Sequence, residues 1–215
     1  MNDELRVNPA IVVTGEGTLR RAPDLAVVSG AVSVRAPKLG EARDRANARA
    51  AEILALLRDL EVPERDVSAP SLQVHPTYDR ARGRMKLSGY EAVRPLTIRV
   101  RDLALLGPIL DGLADDGATQ VHGTRMELDD PTAASREALA AAVADARGRA
   151  EALARAASVT LGGALRIEEE GSGMAAPYAM RAMKAEMAGD SVATEIAAGE
   201  VEVSARVRAW YALEH

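Results

Sequence analysis

The chain contains no cysteine and no phenylalanine, and aromatic residues make up 2% of it. Without cysteine, disulfides, thiol nucleophiles and thiolate-held metals are excluded. Without phenylalanine, Ala, Val and Leu must fill the interior, so helices can approach sheets closely. No apolar run of about 18 residues exists, so no membrane-spanning helix is expected. The first residues, MNDELRVNPA, hold no basic segment followed by an apolar run. No signal peptide is visible there, and on this reading the chain is cytoplasmic or starts after a removed signal. A strong positive balance is also missing: the net charge of -5 argues against bulk nucleic-acid binding.

What is present is 215 residues, 47% of them hydrophobic. That length suits one large or two small domains with a sizeable aliphatic core. Charges of both signs are mixed along the chain, as on an ordinary soluble surface.

Strand alternation opens the chain. Ile11, Val13, Gly15 and Gly17 face opposite to Val12, Thr14, Glu16 and Thr18. Ala22-Pro23-Asp24 turns into a second run with Ala26, Val28, Gly30, Val32 and Val34 on one face, and the two runs are expected to pair as a hairpin. Leu39 to Leu60 reads as a helix burying Leu39, Ala42, Ala46, Ile53, Leu57 and Leu60, ended by Val62-Pro63. A strand follows from Val67 to Tyr78; Pro70 and Pro76 make it an edge strand or a bulged one. Gly83 marks a hairpin tip. The next strand, Leu87 to Arg101, turns Ala92, Leu96, Ile98 and Val100 to one side. Asp102 caps a short helix to Asp116 that Pro108 kinks or delays, with Gly117 as terminator.

Thr119 to Leu128 is a strand. Asp130-Pro131 then starts a helix to Ala157, expected to bury Leu139, Val143, Ala146, Ala150, Leu153 and Ala157. Asp145/Arg149 and Glu151/Arg155 are its four-residue ion pairs. Leu161 to Glu170 and Glu200 to Ala212 are strands, the latter alternating strictly through Val201, Val203, Ala205, Val207, Ala209 and Tyr211. Between them, Gly171 to Gly199 is a long excursion rich in Met, Ala and Gly, with a short helix expected over Ala179 to Ala188. The order ββαββαβαββ predicts an α+β fold: mostly antiparallel sheets, two long helices and one short one.

The segments IVVTGEGTLRRAPD, Ser88-Gly89-Tyr90-Glu91-Ala92, LTIRVRDL and GEVEVSARVRAWYAL, in that order and spacing, resemble the SIMPL-domain family, which includes periplasmic immunogenic proteins of bacteria. The resemblance runs from Ile11 to Leu213. It implies one α+β domain over residues 9–213, an N-terminal extension at 1–8, and no known reaction. It also implies a periplasmic location if a signal has been removed, an association with oxidative-stress defence, and large homo-oligomeric assemblies in some members. Leu213-Glu214-His215 looks like the start of a tag, so 214–215 are set aside.

Candidate chemistry is sparse. Gly15-Glu16-Gly17 is followed by a strand, whereas phosphate loops need a helix N-terminus, so a structural role is expected. His75 and His122 carry no HxxxH or HxH spacing; a weak metal site with Asp79 or Glu127 would require their strands to adjoin. Asp115-Asp116 and Asp129-Asp130 suit capping and turns, and Glu168-Glu169-Glu170 a solvated edge. Arg80, Arg82, Arg84 and Lys86 surround Gly83 between Tyr78 and Tyr90, a solvated hairpin tip or an anion contact. Met180, Met183 and Met187 share a helical face next to Tyr178; they pack against the protein's own core or are the candidate oligomer contact. Thioether copper(I) binding and sacrificial oxidation are the sharper readings of that face. No catalytic constellation and no cofactor is recognised. What the family resemblance implies for function is a non-enzymatic, self-associating protein of the envelope or of oxidative-stress protection. The alternative is a binding module for a small ligand, metal or envelope protein partner.

Overall fold

The computed structural model describes residues 9–81, 84–114, 117–170 and 199–214. The strands are β1 (Ala10–Arg21), β2 (Leu25–Ala36), β3 (Val67–Ser68), β4 (Gln73–Ala81), β5 (Arg84–Val100), β6 (Thr119–Glu127), β7 (Thr160–Glu169) and β8 (Val201–Glu214). The helices are α1 (Leu39–Asp59), α2 (Leu106–Ala114) and α3 (Thr132–Ala156). Among the described residues the fold is α+β with antiparallel sheets, two long helices and a shorter one, as expected. The chain divides into two compact units, one built from β1, α3, β7 and β8, the other from β2 to β6 with α1 and α2.

In the first unit the sheet order is β1-β8-β7, all antiparallel. The expected hairpin between the first two strands does not form: β1 pairs with β8, while β2 pairs with β5 and β6. Pro23 lies where the chain leaves one sheet for another, so the turn chemistry is real but joins strands of different sheets. The register Val13↔Ala209, Gly15↔Val207 and Gly17↔Ala205 lines up one face, and α3 lies on it. A Cβ on Gly15 would sit 2.1 Å from the Ala142 carbonyl oxygen, and one on Gly17 2.0 Å from that of Ala138. Only glycine admits a helix backbone this close.

That approach decides which side of α3 is buried. The stripe is Ala134, Ala138, Ala142, Ala146, Ala150 and Ala154; of the expected members only Ala146 and Ala150 belong to it. Leu139 and Val143 are partly covered, Ala157 is exposed and Leu153 is 50% exposed. Leucine has no room where two backbones nearly touch. Asp130 accepts from the Thr132 amide at 2.9 Å, as a capping carboxylate does, but the helix begins at Thr132, with Pro131 at the cap position and not at the expected first helical one. Asp145 does pair with Arg149, at 2.9 Å. Glu151 instead accepts from Arg147, at 3.0 Å, and Arg155 donates to the Glu151 backbone carbonyl.

The second unit has a sheet of order β3-β5-β2-β6, with β4 added beside β5. One long expected strand is two, β3 and β4, and Pro70 falls between them. β4 pairs only with β5 among the described residues and carries Pro76, so its edge character follows the sequence. The core gathers Ala26, Val28, Val32 and Val34 of β2, Ala92, Leu96, Ile98 and Val100 of β5, and Ala42, Ala46, Ile53 and Leu57 of α1. Leu57 is 1% exposed, while Leu39, expected in the stripe, points outward at the first turn. The Asp102 carboxylate accepts from the Ala104 amide at 3.0 Å, opening a short 3-10 turn (Leu103–Leu105) that delays α2 to Leu106. Gly117 has φ +66°, as a helix terminator requires. Asp115 and Asp116 lie outside the described residues.

Gly15→Ala or Gly17→Ala should destabilise the protein by about 3 kcal/mol, because the new methyl group meets backbone rather than a movable side chain. Gly148→Ala, with nothing within 4 Å of its Cβ position on α3, should stabilise by about 0.5–1 kcal/mol. Denaturant unfolding followed by Trp210 fluorescence checks both. Equal effects at the three sites would refute the close-packing account.

Candidate functional site

One polar cluster lies on the face of the second unit's sheet opposite α1. Strand alternation puts Ser33 and Arg35 of β2, Glu91 of β5 and His75 of β4 on that face, with Arg35↔Glu91 and His75↔Glu91 in register. The Glu91 carboxylate accepts from Arg35 Nε and from Ser33 Oγ, each at 3.0 Å. Those hydrogen bonds, Arg35 first and Ser33 next, hold the Glu91 carboxyl below its ordinary value. A carboxylate so stabilised is a poor general base. His75 Nε2 lies 3.4 Å from Gln73 Oε1, a weak contact that neither orients nor activates the ring.

Next to this cluster the β4–β5 ladder slips. Thr77 opposes Gly89 but Tyr78 opposes Leu87, so Ser88 is an extra residue on β5. Such a bulge bends the ribbon. A Cβ on Gly89 would meet the Ala36 carbonyl oxygen at 2.6 Å, so the bend is pressed against the end of β2. A cleft of about 600 Å³ opens there, lined by Arg35, Pro37, Thr77, Tyr78, Asp79 and Ser88 among others. Ser88 Oγ donates to Thr77 Oγ1 at 3.3 Å.

A second cluster ties the edges of that unit together. Asp66, 4% exposed, receives Arg101 through Nε at 3.0 Å and Nη2 at 3.2 Å. Arg101 also donates to Asp129, which accepts from Arg99 at 2.9 Å. The Asp129 amide donates to the Asp24 carboxylate at 2.7 Å. A two-carboxylate, two-guanidinium arrangement neutralises itself and leaves no free acid or base, so its chemistry is structural.

The sequence-nominated residues do not converge. His75 on β4 and His122 on β6 are separated by β5 and β2, about 14 Å at ordinary strand spacing. Their strands do not adjoin, which removes the shared metal site with Asp79 or Glu127. Among the described residues no group of three His, Asp or Glu is placed to hold a metal. Gly15 and Gly17 serve packing, as their strand context implied. Arg80, Arg84 and Lys86 lie on the exposed end of the β4–β5 hairpin; Arg82 and Gly83 lie outside the described residues. So do Tyr178, Met180, Met183, Met187 and the expected helix Ala179 to Ala188. The Arg35–Glu91–Ser33 and Asp66–Arg101–Asp129 clusters escaped sequence reasoning. Both require the β2–β5 pairing or the α1–β3 connection, which no local spacing encodes.

A helix-backed antiparallel α+β protein with no convergent acid, base and nucleophile among its described residues is the class this geometry defines. The family model SIMPL, described as a protein of unknown function (DUF541), matches residues 11–211, and the chain belongs to that family. It is 29% identical over 186 residues to the uncharacterized protein YggE of Escherichia coli strain K12, covering 86% of this chain and 76% of the relative. It is 32% identical over 173 residues to the 26 kDa periplasmic immunogenic protein of Brucella melitensis, covering 78% of this chain and 69% of the relative. No helix among the described residues is long and apolar enough to cross a membrane.

Asp129→Asn should lower the melting temperature at neutral pH by unpairing Arg101 and Arg99. The Arg101 hydrogen bond, with that of Arg99 behind it, holds the Asp129 carboxyl below its ordinary value. A depressed folded value stabilises the protein above the unfolded value of about 3.9, and that contribution is lost as pH falls through the folded value. The melting-temperature difference between neutral pH and about pH 3 should therefore be smaller in Asp129→Asn than in wild type. A parallel pH profile for the two proteins would refute it.

Proposed function

We propose that this chain is a non-enzymatic SIMPL protein, one family domain over residues 9–213, that assembles with copies of itself in the bacterial periplasm and serves envelope or oxidative-stress protection. The observation that carries the reading is the edge of β7. Among the described residues β7 pairs with β8 alone, and it exposes Leu165 at 54% and Ile167 at 47%. An open strand edge with apolar side chains is a template for another chain. The other edge of that sheet is different: the Glu16 amide on β1 donates to Asp145 of α3 at 2.9 Å, so part of that edge is already satisfied. The family relation and the name of the Brucella relative support the location. Met180, Met183 and Met187 with Tyr178 are proposed as a second contact between copies, since thioethers adapt to irregular partner surfaces.

A second reading, a binding module for a small ligand, a metal or an envelope protein, draws on the cleft lined by Arg35, Thr77, Tyr78, Asp79 and Ser88. Its hydroxyl and charged groups suit a small polar molecule better than an apolar one.

Light scattering should give a wild-type mass that is a multiple of the single chain. Leu165→Lys with Ile167→Lys should reduce it by placing charge on the edge, and replacing Met180, Met183 and Met187 with Glu should do the same, both with helix and strand content intact. A wild type that stays monomeric at all concentrations would reject self-assembly; an unchanged mass in the β7 variant would reject that edge.

A further inference from the structure

Beyond the bulge at Ser88 the β4–β5 hairpin continues as a two-stranded ribbon whose described side chains are exposed. Tyr78, Asp79, Arg80, Arg84, Met85, Lys86 and Leu87 are all exposed, Met85 at 68%. The register is Tyr78↔Leu87, Asp79↔Lys86, Arg80↔Met85 and Ala81↔Arg84. Directly paired residues share a face and successive residues alternate. One face therefore carries Tyr78, Leu87 and Met85 with Arg80 beside them. The other carries Asp79 with Lys86, and Arg84. The ribbon is amphipathic and basic, on a chain whose net charge is -5, so the rest of the molecule is more acidic still.

We propose that this hairpin arm docks on an anionic lipid surface, with Tyr78, Met85 and Leu87 entering the headgroup–acyl boundary, Arg80 of the same face on lipid phosphate, and Arg84 and Lys86 of the opposite face adding attraction to the anionic surface. Two physical arguments select this partner. The first is charge: cations gathered on the arm match an anionic bilayer, each worth an appreciable attraction near the surface. A surface potential also decays within about 8 Å at physiological salt, so acidic groups held further out than the arm do not cancel it. The second is size. A ribbon of four paired positions is about 14 Å by 10 Å, so one face covers on the order of 150 Å², far below the roughly 800 Å² that each partner of a stable protein interface contributes. A bilayer needs no shaped counterpart. It accepts a few apolar side chains and lets long cationic ones reach outward to phosphate. Tyrosine, apolar along its ring and polar at its tip, suits that boundary. The bulge and the Gly89 contact fix where the arm leaves the sheet.

The inference stands apart from self-assembly and has its own test. Vesicles of phosphatidylcholine alone, and with a third phosphatidylglycerol, are sedimented with the full-length protein at low and high salt. Binding is expected to the phosphatidylglycerol vesicles only and to weaken with salt. Replacing Arg80, Arg84 and Lys86 with Ser should lower partitioning on the order of a hundredfold; replacing Tyr78, Met85 and Leu87 with Ser should also weaken it, circular dichroism confirming that both variants fold. Because the chain has no cysteine, Met85→Cys carries one environment-sensitive dye at one site, and its emission should shift to the blue on anionic vesicles. No wild-type binding, binding indifferent to both sets of substitutions, or a dye that does not shift on bound protein each overturns the proposal. So does a dye that responds to an acidic protein surface but not to vesicles.

Discussion

The contact between the α3 backbone and the glycine face of β1 sets the first unit. Gly15 and Gly17 offer no Cβ, and the carbonyls of Ala138 and Ala142 occupy the space. Every buried α3 position is then an alanine, six of them four residues apart. A four-residue row winds slowly about a helix whose turn is 3.6 residues, so it lies at an angle to the axis. A twisted sheet also turns beneath a helix, and the inclined row lets α3 keep close contact with β1 and β8 as it crosses them. The same closeness brings Asp145 within reach of the Glu16 amide. One sheet edge is thereby blunted by the packing that fills the core.

A core without phenylalanine is closed by bringing backbones together. In the second unit Gly30 lies where a Cβ would meet the Gln120 carbonyl oxygen at 2.6 Å, next to the register shift between β2 and β6. Gly89 meets Ala36 in the same way at the root of the hairpin arm. Small residues at the sheet thus mark where strands bend. The outer face of the first unit's sheet is fastened differently. Arg166 and Arg208 stack on Trp210 at 5.0 and 5.2 Å from the ring centre, and Glu16 pairs with Arg206 at 2.7 Å.

Much of this was legible from residue patterns. Alternation located the strands, Pro70 and Pro76 marked the β4 edge, and Asp102, Asp130 and Gly117 marked helix ends by chemistry that acts within a few residues. The α1 stripe was readable because Ile53 and Leu57 fill space against β2 and β5. The α3 stripe was not, because amphipathic reasoning gives weight to Leu139 and Leu153 while burial there is set by glycines more than a hundred residues earlier. The partner of β1 was also hidden: Pro-Asp turns serve hairpins and exits alike, and only the distant β8 completes the sheet. The Glu91 cluster depends on β2 lying beside β5, so each of its members looked like an ordinary strand polar residue.

The two units close their interiors with alanine and valine, and much of their exposed apolar surface lies at strand edges: Leu165 and Ile167 on β7, Val121 on β6, and Tyr78, Met85 and Leu87 on the hairpin arm. These edges are where the described residues offer apolar and charged side chains to a partner. Charge separates them. β7 runs into Glu168, Glu169 and the following Glu170, so its end is repelled by an anionic bilayer and needs a protein surface. The arm carries Arg80, Arg84 and Lys86 against Asp79 alone, so two arms repel each other and an anionic partner is preferred. The proposed self-association through β7 and the proposed lipid contact through the arm therefore use different side chains of opposite sign, and neither occupies the groups the other needs.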